Sequence, residues 1–262
     1  ENALNKMEAI MAKEHELVSL GGQAAAAAHS LGTPLSTIKI VLADLDEEAV
    51  NQAATDLGAD ARVCDVTKEE EVQSLVDNVL EQHQRIDLFC SNAGALATSV
   101  GVLTDADNES WQDQWNLNVM AHLYAARAVL PSMLARKEGY LLNTASAAGL
   151  LAAMESGPYT VTKAAAIKLA EFLAITHADD GIKVSVLCPQ GVNTAMAPKT
   201  LGSGQTDGIL EPHELAETVV AAIKDERFHV LPHPEVENYV RRKGDDIDRW
   251  LAGMRRLRRS YT

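Results

Sequence analysis

Ile38-Lys39-Ile40-Val41-Leu42-Ala43-Asp44, followed by Leu45-Asp46 and a run closed by Gly58, decides how this chain folds. The β-branched and apolar residues from Ile38 to Leu42 read as a strand that ends at Ala43-Asp44. Residues 46–57 read as a helix, with Gly58 where helices often end in a left-handed residue. The alternation continues. Residues 61–64 form a short strand, and the Thr67 hydroxyl stands where it would cap a helix carrying Glu69 and Glu70 in its first turn. Strand 86–90 precedes a long helix over 107–136. Strand 141–144, helix 157–177, strand 184–187, helix 211–224 and strand 228–231 complete the series. This order predicts a parallel sheet covered by helices on both faces, hence a single doubly wound α/β domain. No repeat, low-complexity tract or linker divides residues 1–262. Residues 1–15 read as an N-terminal extension and 233–262 as a helical tail.

Composition narrows the possible partners. A net charge of −14 argues against nucleic acid, whose phosphates need a positive footprint. No uninterrupted apolar segment is long enough to span a membrane, and the first residues lack the cationic-then-apolar pattern of a secretory signal. The tail holds a basic cluster, Arg241, Arg242, Lys243, Arg255, Arg256, Arg258 and Arg259. Its apolar residues Ile247, Trp250, Leu251, Met254 and Leu257 recur at helical spacing, which predicts a packing helix with a basic solvent face. Cys64, Cys90 and Cys188 lie in or beside apolar runs without metal-ligand spacing. They read as buried, reduced thiols of a cytoplasmic protein, and no metal site is expected.

Tyr159-Thr-Val-Thr-Lys163, with Ser146 upstream, carries the chemistry. Tyr159 and Lys163 are i and i+4, so a helix puts both on one face. A neighbouring ammonium is expected to draw the phenol pKa down toward working pH, where it can exchange protons as a general acid or base. In a doubly wound sheet, ligands bind at the carboxyl ends of the strands. Asp44, Asp65, Asn92, Ser146 and Pro189 all follow predicted strands there.

Asn92-Ala93-Gly94, Asn118 within Asn116-Leu-Asn118-Val, Ser146 in Asn143-Thr-Ala-Ser146, Tyr159-x-x-x-Lys163 and Cys188-Pro189 together resemble the short-chain dehydrogenase/reductase superfamily, over about residues 17–232. The resemblance implies a Rossmann-type fold and an NAD-dependent oxidoreductase interconverting a secondary alcohol and a ketone. It implies that Tyr159 is the acid/base and that Ser146 holds the same substrate oxygen. Lys163 would tune Tyr159 and grip the nicotinamide ribose, and Asn118 would place a relay water. Ser146 as a turn cap is the structural alternative. For the cofactor it implies Gly21, Asp44, Asp65 with Val66, Asn92, Ala93, Gly94, Tyr159, Lys163, Pro189, Gly191, Val192 and Thr194. Asp65 has the alternative of capping the following helix. Asp44, with no adjacent Lys or Arg, favours NAD(H) by accepting ribose hydroxyls and repelling a 2′-phosphate. A homo-oligomer, tetramer or dimer, is also implied, with Ala164-Ala-Ala166 and Ala170 permitting close helix approach.

Two departures stand out. Gln190 occupies a position where the family usually has Gly, within Pro189-Gln190-Gly191. The glycine-rich phosphate loop is altered too: after Leu17 to Leu20 come Gly21 and Gly22, but Ala25 and Ala27 stand at the later glycine positions. A rebuilt loop, weak cofactor binding, or a non-catalytic scaffold or regulator each account for that. The consistent helix formers Gln23 to Ala28 favour the rebuilt loop. Met154, Leu150, Met196, Leu201, Ile209 and Leu210 point to a moderately apolar small-molecule substrate.

Overall fold

The computed structural model describes residues 38–95, 104–154, 156–194 and 206–261. The opening stretch forms β1 (Val41–Asp44). Asp46 then starts α1 (Glu47–Leu57) by accepting the Ala49 amide at 3.1 Å. Gly58 ends α1 at φ 64°, a left-handed conformation that costs most other residues about 1 kcal/mol or more. β2 (Asp60–Val63) pairs parallel to β1, with Val41 opposite Asp60.

Thr67 does not cap the next helix. Its amide and hydroxyl both donate to Asp65 Oδ1, at 3.0 and 2.6 Å, and α2 (Glu69–His83) starts after Lys68 without a side-chain cap. The Asp65 carboxylate closes an Asx turn two residues on, which takes the Thr67 hydroxyl away from the helix amides.

β3 (Leu88–Ser91) is followed by α3 (Asn108–Trp115) and α4 (Ala121–Arg136), joined by a π-helical turn at Asn116–Met120. The expected long helix is therefore present but widened in its middle, where the Ala121 amide reaches back to Asn116 O. Next come β4 (Gly139–Thr144), the short α5 (Ala147–Leu150), α6 (Gly157–His177) and β5 (Ile182–Leu187). The remainder is β6 (Gly191–Val192), β7 (Ile209–Leu210), α7 (Pro212–Lys224), β8 (His229–Val230), α8 (Glu235–Asp245) and α9 (Ile247–Tyr261).

β3, β4, β5 and β8 pair in that order, all parallel, with Leu141 of β4 between Phe89 and Val184. β1–β2 and β6–β7 are separate parallel pairs among the described residues. Side chains alternate across a strand. Leu141 joins Val76, Val129, Met133, Ala166 and Val186 on one face, whereas Leu142 joins Leu187, Leu215, Val219 and Val230 on the other. Helices thus cover both faces of a parallel sheet, the doubly wound arrangement that the alternation predicts.

Three expectations are corrected. Cys64 and Cys188 are buried, but Cys90, on the strand that ends the four-stranded sheet among the described residues, is exposed. Ala166 and Ala170 are used up inside the chain's own core. The outward apolar residues of α6 are instead Phe172 and Ile175, 69% and 72% exposed. The tail forms two helices rather than one. α9 packs against α8, yet none of its described residues is buried, and Ile247 and Leu251 are about half exposed. No described helix is long and apolar enough to cross a membrane.

Candidate active site

Pro158 lies in the first turn of α6, where its missing amide hydrogen costs nothing. The helix it starts carries Tyr159 and Lys163 one turn apart, with Lys163 Nζ 5.7 Å from the centre of the Tyr159 ring. Lys163 is 2% exposed, and its ammonium donates to the carbonyl of Thr144, the last residue of β4, at 3.0 Å. Burial pushes the Lys163 pKa down to about 8. Burial also raises the Tyr159 phenol above its usual value, an effect that the Ser146 hydroxyl partly opposes. The expected lowering of Tyr159 by Lys163 is not found. Desolvation outweighs the other influences, and Lys163 spends a hydrogen bond on Thr144 rather than on the phenol.

Ser146 serves the turn as well. It is the N-cap of α5, accepting the Ala148 amide at 3.1 Å, and its hydroxyl lies 3.4 Å from the Pro189 carbonyl it faces. Capping and proximity to Tyr159 are compatible, since a hydroxyl both donates and accepts. α5 sits this close to α6 because of Gly149. A Cβ there would meet the backbone of Lys163 at 2.6 Å, a contact no side-chain rotation relieves.

Asn118 occupies the π-helical turn and is fully buried. Its Nδ2 donates to Gln114 Oε1 at 2.9 Å and Thr162 Oγ1 at 3.1 Å, which ties the α3–α4 helix to α6. Asn118 Oδ1 has no hydrogen-bond partner among the described residues. A Cβ on Gly94 would lie 3.4 Å from that oxygen and 3.1 Å from Lys163 Nζ, so glycine there leaves a narrow space between an unsatisfied acceptor and an ammonium. π-turns recur at functional sites, and buried unpaired acceptors call for an explanation of this kind.

Direct contacts bring together Asn92, Gly94, Asn118, Ser146, Tyr159, Lys163 and Pro189, with Asn92 Oδ1 accepting from Thr144 Oγ1 at 2.8 Å. Ala93 lies beside them. Gly191, Val192 and Thr194 follow β5, and the Thr194 amide turns back to Val192 O at 2.8 Å. Asp44, at the end of β1, accepts the Asp46 amide at 2.9 Å on Oδ1. Asp65 and Val66 follow β2, and the Asp65 carboxylate is held low by its Thr67 hydrogen bond and by Lys68. Gly21, Ala25, Ala27, Met196 and Leu201 lie outside the described residues. Among the described residues no group of acidic, His or Cys side chains is placed to hold a metal.

Sequence reasoning missed two neighbours, Gly149 and His122. Gly149 carries no motif signal. His122, one turn beyond Asn118, is 2% exposed with both ring nitrogens unpaired; burial and the Lys163 charge push its pKa down to about 3, so it stays neutral. Cys188 is buried close to Ser146, its thiol pushed up to about 12 by desolvation, and is likewise uncharged. A phenol, a hydroxyl and an ammonium on one wall can pass a proton to or from a bound oxygen atom.

The profile of the short chain dehydrogenase family matches residues 21–202. The chain is 30% identical over 224 residues to 1-deoxy-11-beta-hydroxypentalenate dehydrogenase of Streptomyces exfoliatus, covering 81% of this chain and 80% of that protein. It is 33% identical over 189 residues to an uncharacterized oxidoreductase of Staphylococcus aureus, covering 71% and 80%. A short chain dehydrogenase/reductase from Burkholderia phymatum, solved in complex with NAD, superposes with a TM-score of 0.74 at 28% identity, covering 86% and 90%. The chain belongs to the short-chain dehydrogenase/reductase family.

The depressed Lys163 pKa has a measurable sign. Between about 8 and the ordinary lysine value of 10.5, the unfolded chain binds the proton that the folded chain has lost. Stability therefore gains a rising contribution from Lys163 as pH increases through that window, whereas below it the full cost of burying the charge is present. Lys163→Met should flatten this rise in urea midpoints measured up to pH 10.

Proposed function

We propose that this member of the family is an NAD(H)-dependent oxidoreductase that interconverts a secondary alcohol and a ketone, with Tyr159 as general acid/base. The observation that carries the reading is the convergence of Tyr159, Ser146 and Lys163, with Asn118 Oδ1 left unsatisfied beside the lysine. The bound nicotinamide would supply or accept the hydride. The residues do the rest. Tyr159, kept protonated by its raised pKa, gives its phenolic proton to the carbonyl oxygen as that oxygen gains charge. Ser146 donates a hydrogen bond to the same oxygen. Lys163 would offer its remaining donors to the ribose hydroxyls of a bound dinucleotide, and Asn118 Oδ1 would accept from a water able to return a proton toward Lys163. Alcohol oxidation needs the phenolate, so it should gain from alkaline pH, and ketone reduction should not.

The cofactor fits the residues present. Gly94 leaves space that a Cβ would fill, next to an unpaired acceptor and a donor. Asn92, Ala93, Asp65, Val66, Pro189, Gly191, Val192 and Thr194 would line the remainder. Asp44 would accept the adenine ribose hydroxyls, with the exposed Leu45 beside it as an apolar wall. The NAD held by the Burkholderia phymatum protein supports the choice of dinucleotide. The substrate is a moderately apolar alcohol or ketone flanked by Leu150 and Met154. The Streptomyces relative, named for dehydrogenating a hydroxylated compound, supports that class.

We also propose one domain over residues 1–262, a cytoplasmic setting in keeping with three free cysteines, and a homo-oligomer formed through the outward face of α6, where Val161, Phe172 and Ile175 are exposed. The altered glycine loop supports the competing reading of a non-catalytic scaffold or regulator with impaired dinucleotide binding, which tight dinucleotide binding would exclude.

Tyr159→Phe should abolish ketone reduction and leave NADH affinity nearly unchanged, since it removes the proton but keeps the ring. Most of kcat surviving would refute the assignment. The wild type should prefer NADH to NADPH in kcat/KM by about tenfold or more, roughly 1.4 kcal/mol, and Asp44→Ala should narrow that gap in paired steady-state assays.

A further inference from the structure

Gln190, where the family usually has glycine, is used by the structure as a link. Its Nε2 donates to Asp207 Oδ2 at 2.8 Å, and Tyr239 of α8 donates to the other oxygen, Oδ1, at 2.9 Å. Splitting one carboxylate between two donors gives two charge-assisted bonds in place of one. The backbone amide of Gln190 also donates to Nδ1 of the buried His233, just before α8, at 3.2 Å. That bond leaves the Nδ1 lone pair as acceptor and so fixes the neutral tautomer with hydrogen on Nε2.

Lys243 follows Tyr239 by one helical turn and shares its face of α8. Its ammonium donates to the Leu150 carbonyl at 2.6 Å. Leu150 is the last residue of α5, the turn that Ser146 caps, and its carbonyl belongs to a helix end that lacks an intrahelical donor. Gln190 follows Pro189, whose carbonyl accepts the Ala147 amide at 2.9 Å and faces the Ser146 hydroxyl. One face of one helix therefore holds the segment on each side of Ser146, through residues far away in sequence.

We propose that α8 is a strut that fixes the separation of the two walls of the substrate cleft, with Lys243, Tyr239 and Asp207 as positioning residues. The strut gives the tail a role in substrate fit that its basic composition does not suggest. It rests on the reading of this cleft as an alcohol/ketone site, and concerns the substrate side rather than the dinucleotide.

The test compares full-length wild type, Lys243→Met, Lys243→Arg and Tyr239→Phe by amide hydrogen exchange and by NADH-dependent reduction of a panel of cyclic and aryl ketones. In Lys243→Met, amides 147–151 should exchange faster while those of β4 and β5 do not change. KM for an accepted ketone should rise about tenfold, the scale of one charge-assisted hydrogen bond, with kcat and the NADH dissociation constant nearly unchanged. Lys243→Arg, which keeps the donor, should restore both. Tyr239→Phe should loosen amides 191–194 and 209–210 instead. Unchanged exchange at 147–151, a loosening spread equally over β4 and β5, or an unmoved KM would overturn the strut. A wild type that reduces none of the ketones refutes the proposed reaction instead, and the exchange comparison then still decides the strut.

Discussion

Lys163 is an ammonium enclosed by protein, and the layout of the site follows from what that enclosure requires. A buried charge is costly unless hydrogen-bonded. Its bond to the Thr144 carbonyl supplies a partner and pins α6 to the end of β4. For the pin to hold, Gly149 must let α5 lie on the backbone of α6, and Gly94 must leave room at the ammonium. Ser146 and Asn118 are then carried into place, the first by capping α5, the second by its bond to Thr162 on α6. Side chains from three elements, Tyr159 and Lys163 on α6, Ser146 at the cap of α5 and Asn118 in the π-helical turn, are positioned by one helix docking on one strand end.

The same enclosure sets the electrostatics. Desolvation lowers Lys163, raises Tyr159 and Cys188, and holds His122 neutral. Lys163 is therefore drawn down to about 8, below the ordinary lysine value, and Tyr159 is held in its protonated form. In the proposed reaction, a phenol held protonated would serve ketone reduction more readily than alcohol oxidation. The unpaired Asn118 Oδ1 is the complementary feature: an acceptor inside the protein, beside a donor, with its hydrogen-bonding capacity unused.

Much of this was legible in the sequence, for physical reasons that differ by element. Helix α1 announces its end through Gly58, where backbone chemistry restricts the choice of residue. β4 and β5 read as apolar runs because both of their faces are covered. Lys163 next to Tyr159 was readable from helical spacing alone, but the direction of the Tyr159 shift was not, because it depends on how many atoms from other elements surround the phenol. The π-turn at Asn116–Met120 leaves no mark on composition. Thr67 lost its capping role to Asp65, a competition between two good hydrogen-bonding residues that only the turn geometry resolves. Ala166 and Ala170 illustrate the limit of composition: small residues suit a helix interface and a helix–sheet contact equally well, and here the sheet takes them. Gln190 departs from the family motif because it is paired with Asp207, a carboxylate that Tyr239 also holds.

The narrow space between Gly94, Asn118 and Lys163 is where the proposed dinucleotide would bind. Titration of the full chain with NADH, followed by the nicotinamide fluorescence, tests this most directly. Saturable binding at micromolar concentrations, lost in Gly94→Val, is the predicted result. No saturation at millimolar NADH, or binding that Gly94→Val leaves untouched, would contradict it.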